Sequence, residues 1–209
     1  MDPREREARR LLDRYIQEIV ETYDLCPWAR AARTGGELAV ATLWGSPAID
    51  VWVAAANELL ARDETRVAMV VAPELAATPA ELREIRSEVA KRVTIAGVAD
   101  FHPDAPLDAT TPARLVPYLR RSPDPMLQLV PHAILASVRT PQPRYATLEQ
   151  LQALQDLLAA GPKLDIGDRI AATNHARVAQ DGDAISAKLD DIRADRNASY
   201  ARVGISTCR

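Results

Sequence analysis

One phenylalanine, two cysteines and three histidines in 209 residues deny several protein classes their raw material. Cys26 and Cys208 stand near opposite ends of the chain and lack the paired spacing of a zinc finger. So few thiols predict neither a disulfide-braced secreted fold nor a metal ribbon, and they fit a reducing cytoplasm. Charge of one sign is missing too. The net charge is -3, and arginines alternate with acids, as in Arg4-Glu5-Arg6-Glu7, so no basic face for a nucleic acid is expected. No apolar run reaches membrane-spanning length, and the charged opening residues do not read as a secretory signal, so no membrane partner is expected. With aromatics at 4%, the core must be aliphatic.

What is present is an ordinary globular balance, 47% apolar and 26% charged, in a chain long enough for one sizeable core. Asp2 and Pro3 open a helix whose apolar positions, Leu11, Leu12, Tyr15, Ile16 and Ile19 among them, recur at helical spacing. Strands are predicted over 38–43, 66–72 and 93–101, with helices from Ser46 to about Ala61 and from Thr78 to about Lys91. Thr78-Pro79-Ala80-Glu81 is a capping signature. The alternation predicts an α/β fold (α+β is the variant): a small, at least partly parallel sheet of three to four strands packed by several helices. Residues 102–125 are punctuated by six prolines and are read as a stiff irregular segment. A helix is expected through Met126, Leu127, Leu129 and Val130, broken at Pro131 and resuming to Val138. Further helices are predicted from Thr147 to Gly161 and from Ala184 to Tyr200. We divide the chain into a single α/β domain, 1–162, and a C-terminal helical extension, 163–209, packed on it.

Cys26 carries the most chemistry. Pro27 predicts a new helical turn with Cys26 at its N-cap, and Arg30 and Arg33 nearby would favour the thiolate. Trp28 could wall a pocket beside it. At the carboxyl end of the third predicted strand, where α/β sheets gather ligands, stand His102, a base or metal ligand, and Asp104, which could orient it. The alternative is a histidine simply hydrogen-bonded in a turn. A third cluster is Arg120-Arg121-Ser122-Pro123. Ser122 and Pro123 have helix-start chemistry, so the arginines would precede a positive helix end suited to carboxylate or phosphate, although Pro123 and Pro125 withdraw two N–H donors.

Leu25-Cys26-Pro27-Trp28-Ala29, Phe101-His102-Pro103-Asp104, Arg121-Ser122-Pro123 with Pro125-Met126-Leu127, and Arg196-Asn197 together resemble, in order, the patches of a bacterial family known only as a domain of unknown function. Among its departures from this chain, the family pattern has Asn where this chain has Arg120, Tyr at Asp124 and His at Gln128. The resemblance implies a shared site and names no reaction.

The leading expectation is a small cytoplasmic enzyme acting on an anionic or carbonyl-bearing small molecule, with no cofactor. Cys26 would be nucleophile or redox thiol, His102 base, Asp104 its orienter, and Arg121, with Ser122, Arg30, Trp28 and Arg120, the substrate contacts. Two alternatives stay open: a metal or haem site using Cys26 and His102, and a non-catalytic interaction module built on the proline-rich segment and arginines.

Overall fold

The computed structural model describes residues 2–26, 29–108, 110–139 and 166–206. Helix α1, Pro3–Tyr15, starts where the sequence says it should, with the Asp2 side chain accepting the Arg4 N–H at 3.0 Å and Pro3 in the first turn. It widens into π geometry over Ile16–Glu21. After the short α2, Ala29–Thr34, come β1, Leu38–Thr42; α3, Ile49–Leu60; β2, Val67–Val71; α4, Pro79–Arg92; and β3, Ala96–Phe101. Thr78 and Glu81 form the reciprocal capping box at the head of α4. The remaining elements are α5, Pro112–Leu119; β4, Met126–Pro131; α6, His132–Arg139; and α7, Ile166–Val203.

The four strands lie in the order β1-β2-β4-β3. β1 and β2 are parallel, and β4 runs antiparallel to both β2 and β3. β2 and β3 therefore point the same way with β4 reversed between them, giving the small mixed α/β sheet expected from the alternation of elements.

Two expectations are corrected. Residues 126–131 form a strand, not a helix. β4 is interior to the sheet, and a strand covered on both faces takes apolar residues at every position, so Met126-Leu127-Gln128-Leu129-Val130 offers no alternation to read. The second correction is α5 inside the segment read as irregular. Thr111 caps it and Pro112 begins it, repeating the Thr-Pro start of α4; Pro117 inside it removes one donor without ending so short a helix. Two boundaries also move: α3 begins three residues after Ser46, and α7 begins at Ile166, well before Ala184. The predicted 147–161 helix, the 162/163 domain boundary and Cys208 lie outside the described residues.

Each face of the sheet closes its own core. Val67, Met69, Val71 and Met126 pack under α1 and the π turn, with Ile192 and Tyr200 of α7 joining them. Ala68, Val70, Leu127 and Leu129 face α3 and α4, where Trp52 is fully buried as its helix position suggests. α7 also packs on α5 through Val178 and Ile185, which with Ile192 fall every seventh residue along it. Among the described residues no helix is long and apolar enough to cross a membrane.

Candidate functional site

Cys26 is set by backbone on both sides. The π spacing continues past the helix in a Leu25 N–H to Val20 carbonyl bond, five residues back, and Asp24 takes a left-handed φ of 50° to make the turn. Asn174, buried on α7, donates Nδ2 to the Leu25 carbonyl at 3.2 Å. The Cys26 carbonyl accepts the Ala29 N–H at 3.3 Å. The half-buried thiol side borders two adjoining cavities of about 290 and 380 Å³ beneath the α1 face of the sheet.

Five residues line both cavities: Cys26, Ala32, Val67, Arg120 and Gln128. Gln128 reaches them from mid-sheet, in register with Met69 and Ala99, and among the described residues its carboxamide has no hydrogen-bond partner. Arg120 ends α5. Its guanidinium stands 4.0 Å from Asp100, whose carboxylate it shares with Arg86 at 3.2 Å. Burial pulls the Arg120 pKa below the usual guanidinium value, Asp100 pushes back, and Arg86 adds to the fall. One cavity also touches Tyr15, whose hydroxyl is 3.5 Å from the Leu119 carbonyl. Its phenol is driven upward first by burial and then by the Cys26 charge, against Arg120. Across the other cavity α6 approaches closely at Gly97, where a Cβ would come within 3.0 Å of Leu135.

The arginines expected beside the thiol are turned elsewhere. Arg33 grips the buried Glu21 with Nε at 2.6 Å and Nη2 at 2.9 Å, and exposed Arg30 stands 3.7 Å from the same carboxylate. Arg33 is what holds the Glu21 carboxyl below its ordinary pKa. Trp28 and Pro27 lie outside the described residues.

His102 and Asp104 occupy a different place, the carboxyl ends of β2 and β3. The His102 ring is buried with both nitrogens bonded to backbone: Nε2 to the Ala77 carbonyl at 2.7 Å, and Nδ1 accepting the Asp104 N–H at 3.0 Å. That assignment fixes the Nε2–H tautomer and leaves no lone pair for a substrate proton. The Asp104 carboxylate goes to Arg193, not to the imidazole. Arg121 gives Nε to the Ala105 carbonyl at 2.7 Å and lies over the Tyr118 ring at 5.1 Å. Ser122 is buried with its hydroxyl on the Asp124 carbonyl, and a strand follows it, so the positive helix end expected there does not exist.

The expected single pocket thus divides. The cavities that Cys26 lines do not reach His102, Asp104 or Arg121, while Arg120 also lines a small one of about 80 Å³ with His102. Cys26 and His102 line different cavities, and the described residues hold no cluster of three or more His, Cys, Asp or Glu able to grip a metal. Gln128 and Tyr15, which also border the Cys26 cavities, were not among the expected site residues. The signal for Gln128 was legible in hindsight of the strand: one amide in an otherwise apolar run buried on both faces.

Fold and cavity define a class, a compact mixed α/β protein with an apolar chamber gathered around a thiol, a guanidinium and a carboxamide. Within it, residues 7–153 match the family described as Protein of unknown function (DUF1415), and the chain belongs to that family. The match spans the patches around Cys26, His102 and Arg121, while Arg196-Asn197 falls beyond it. No curated protein and no solved structure matches the chain.

Proposed function

We propose that this protein binds a small apolar molecule bearing a carbonyl or anionic group in the Cys26 chamber and acts on it through the thiol, in the cytoplasm. The observation that carries the reading is the convergence of Cys26, Arg120 and Gln128, from three separate stretches of chain, on both adjoining cavities. Arg120 offers a cation and Gln128 an open donor and acceptor to a polar head, while Leu25, Leu38, Met69, Phe101 and Leu119 supply an apolar wall. The pattern that this chain resembles has Asn and His at positions 120 and 128, which supports a site there. Arg120 stands where that pattern has Asn, beside the same cavities as Cys26, and its charge would favour the thiolate.

Iodoacetamide labelling read by peptide mapping separates Cys26 from Cys208. Arg120→Gln is expected to slow Cys26 labelling at pH 7 roughly fivefold, the effect of removing one nearby charge. Anilinonaphthalene sulfonate, an apolar body with one anion, should bind and protect Cys26. Labelling indifferent to both the substitution and the dye would refute the proposal.

A further inference from the structure

A cavity of about 710 Å³ is a separate cleft at the carboxyl ends of β2 and β3. Its position follows from topology: β2 and β3 run the same way with β4 starting between them in the opposite sense, and the segments after β2 and β3 form its walls, at the strand ends where α/β sheets take ligands. Pro73, Pro79, Pro103, Pro123 and Pro125 all line it. Prolines hold those walls with little backbone freedom to lose on binding. His102 staples two of the walls together, through Ala77 on one side and the Asp104 N–H on the other.

Helix α7 closes the cleft with Arg193, Arg196 and Asn197. Arg196 is fixed from behind, Nε on Asp124 at 2.7 Å and Nη2 on the Pro73 carbonyl at 3.0 Å, with the Tyr200 ring 4.8 Å away. Arg193 is fixed at the rim, Nη2 on the Pro103 carbonyl at 2.8 Å and on Asp104 at 2.7 Å. Among the described residues, Nη1 of Arg196, Nε and Nη1 of Arg193, and the exposed Asn197 carboxamide have no hydrogen-bond partner. Guanidinium groups anchored on some nitrogens and open on others are pre-oriented receptors for oxyanions.

We propose that this cleft is a second ligand site, independent of the Cys26 chamber, for a small organic molecule carrying a carboxylate or phosphate group. Arg196 and Asn197 receive the oxyanion from within, and Arg193 closes on it from the rim. Asp104 is the ligand's stand-in. Its side chain is 66% exposed, and a rim ion pair of that kind contributes little, so an incoming oxyanion displaces it readily.

Citrate and glucose 6-phosphate serve as probes, titrated into the full-length protein by calorimetry, with NMR of arginine side chains as the local readout. At least one should bind, and which one does tells carboxylate from phosphate. Arg193→Ala should weaken that binding roughly tenfold, the effect of losing one charge-assisted contact. Asp104→Asn should tighten it, because the competing carboxylate is gone. Arg62→Ala, at the opposite end of the sheet, should leave it unchanged, and circular dichroism confirms folding of each variant. Binding of neither probe, or equal weakening by Arg62→Ala and Arg193→Ala, overturns the proposal. Cys26 labelling should not change in these variants, so its outcome stands apart from this one.

Discussion

Asp124 is 3% exposed and held by three groups: Arg196 Nε at 2.7 Å, the Tyr200 hydroxyl, and, through its backbone carbonyl, the Ser122 hydroxyl. Burial raises its carboxyl pKa while Arg196 and Tyr200 lower it. Tyr200 itself is pushed up, by burial first and by Asp124 next. Removing one member of such a buried pair strands the other's charge. Asp124→Ala is therefore expected to cost about 3–5 kcal/mol in urea unfolding, and Asp124→Asn, which keeps the shape but also removes the charge paired with Arg196, most of that loss. A loss for Asp124→Asn far below that for Asp124→Ala would mean that packing, not charge, holds this point. Sequence reading flagged Asp124 only as a departure from a family pattern. Its partners lie on α7, far along the chain, and nothing in Ser122-Pro123-Asp124-Pro125 announces a carboxylate sealed in the interior. His102 was readable as a strand-end residue; that its ring would be spent on two backbone partners depended on where the Ala77 loop came to rest.

Between elements, the clearest electrostatic seam joins α1 to α7. Arg10 places Nη1 and Nη2 on Asp195 at 2.7 and 2.9 Å, and Arg14 adds Nη1 to Asp195 at 2.6 Å and Nη2 to Asp191 at 2.8 Å. The Arg10 bond, ahead of Arg14, draws the Asp195 pKa from 3.8 down to about 2. A carboxyl depressed in the folded state contributes stability above its unfolded pKa and loses it as pH falls through the folded one. The seam should thus weaken between about pH 4 and pH 2, by about 1–2 kcal/mol after allowing for its partial exposure, and Asp195→Asn should flatten that part of the acid-unfolding profile. An unchanged profile would remove Asp195 from the account. Helix starts were legible here because capping is local: Asp2-Pro3 and Thr78-Pro79 each fix their own helix. β4 was not, because its identity as a strand comes from the two neighbours that cover it.

At the scale of the molecule, β2 and β4 form the axis on which both cores are built. Every residue of β2 is buried, and β4 bonds to strands on both sides. Opening either strand requires separating both faces, so amide exchange should be slowest at Ala68 to Val70 and Leu127 to Leu129 and should track global unfolding. Faster exchange there than in α4 would contradict this hierarchy. The sheet also decides where chemistry lies. Residues on β4 alternate between faces, which sends Gln128 to the Cys26 chamber, whereas His102, just past β3, turns to the strand-end cleft. Patches that seemed from their chemistry to belong together were sorted onto different sides by that alternation. The amino-acid sequence by itself determined the class of fold, the first three strands and the capped starts of α1 and α4, since these rest on hydrophobic period and on caps a few residues long. Only the tertiary structure decided that Arg120, not Arg121, would share a chamber with the thiol, and that α7 would bring Arg193 and Arg196 to the cleft. Those outcomes depend on strand order and helix docking, set by burial summed over the whole chain.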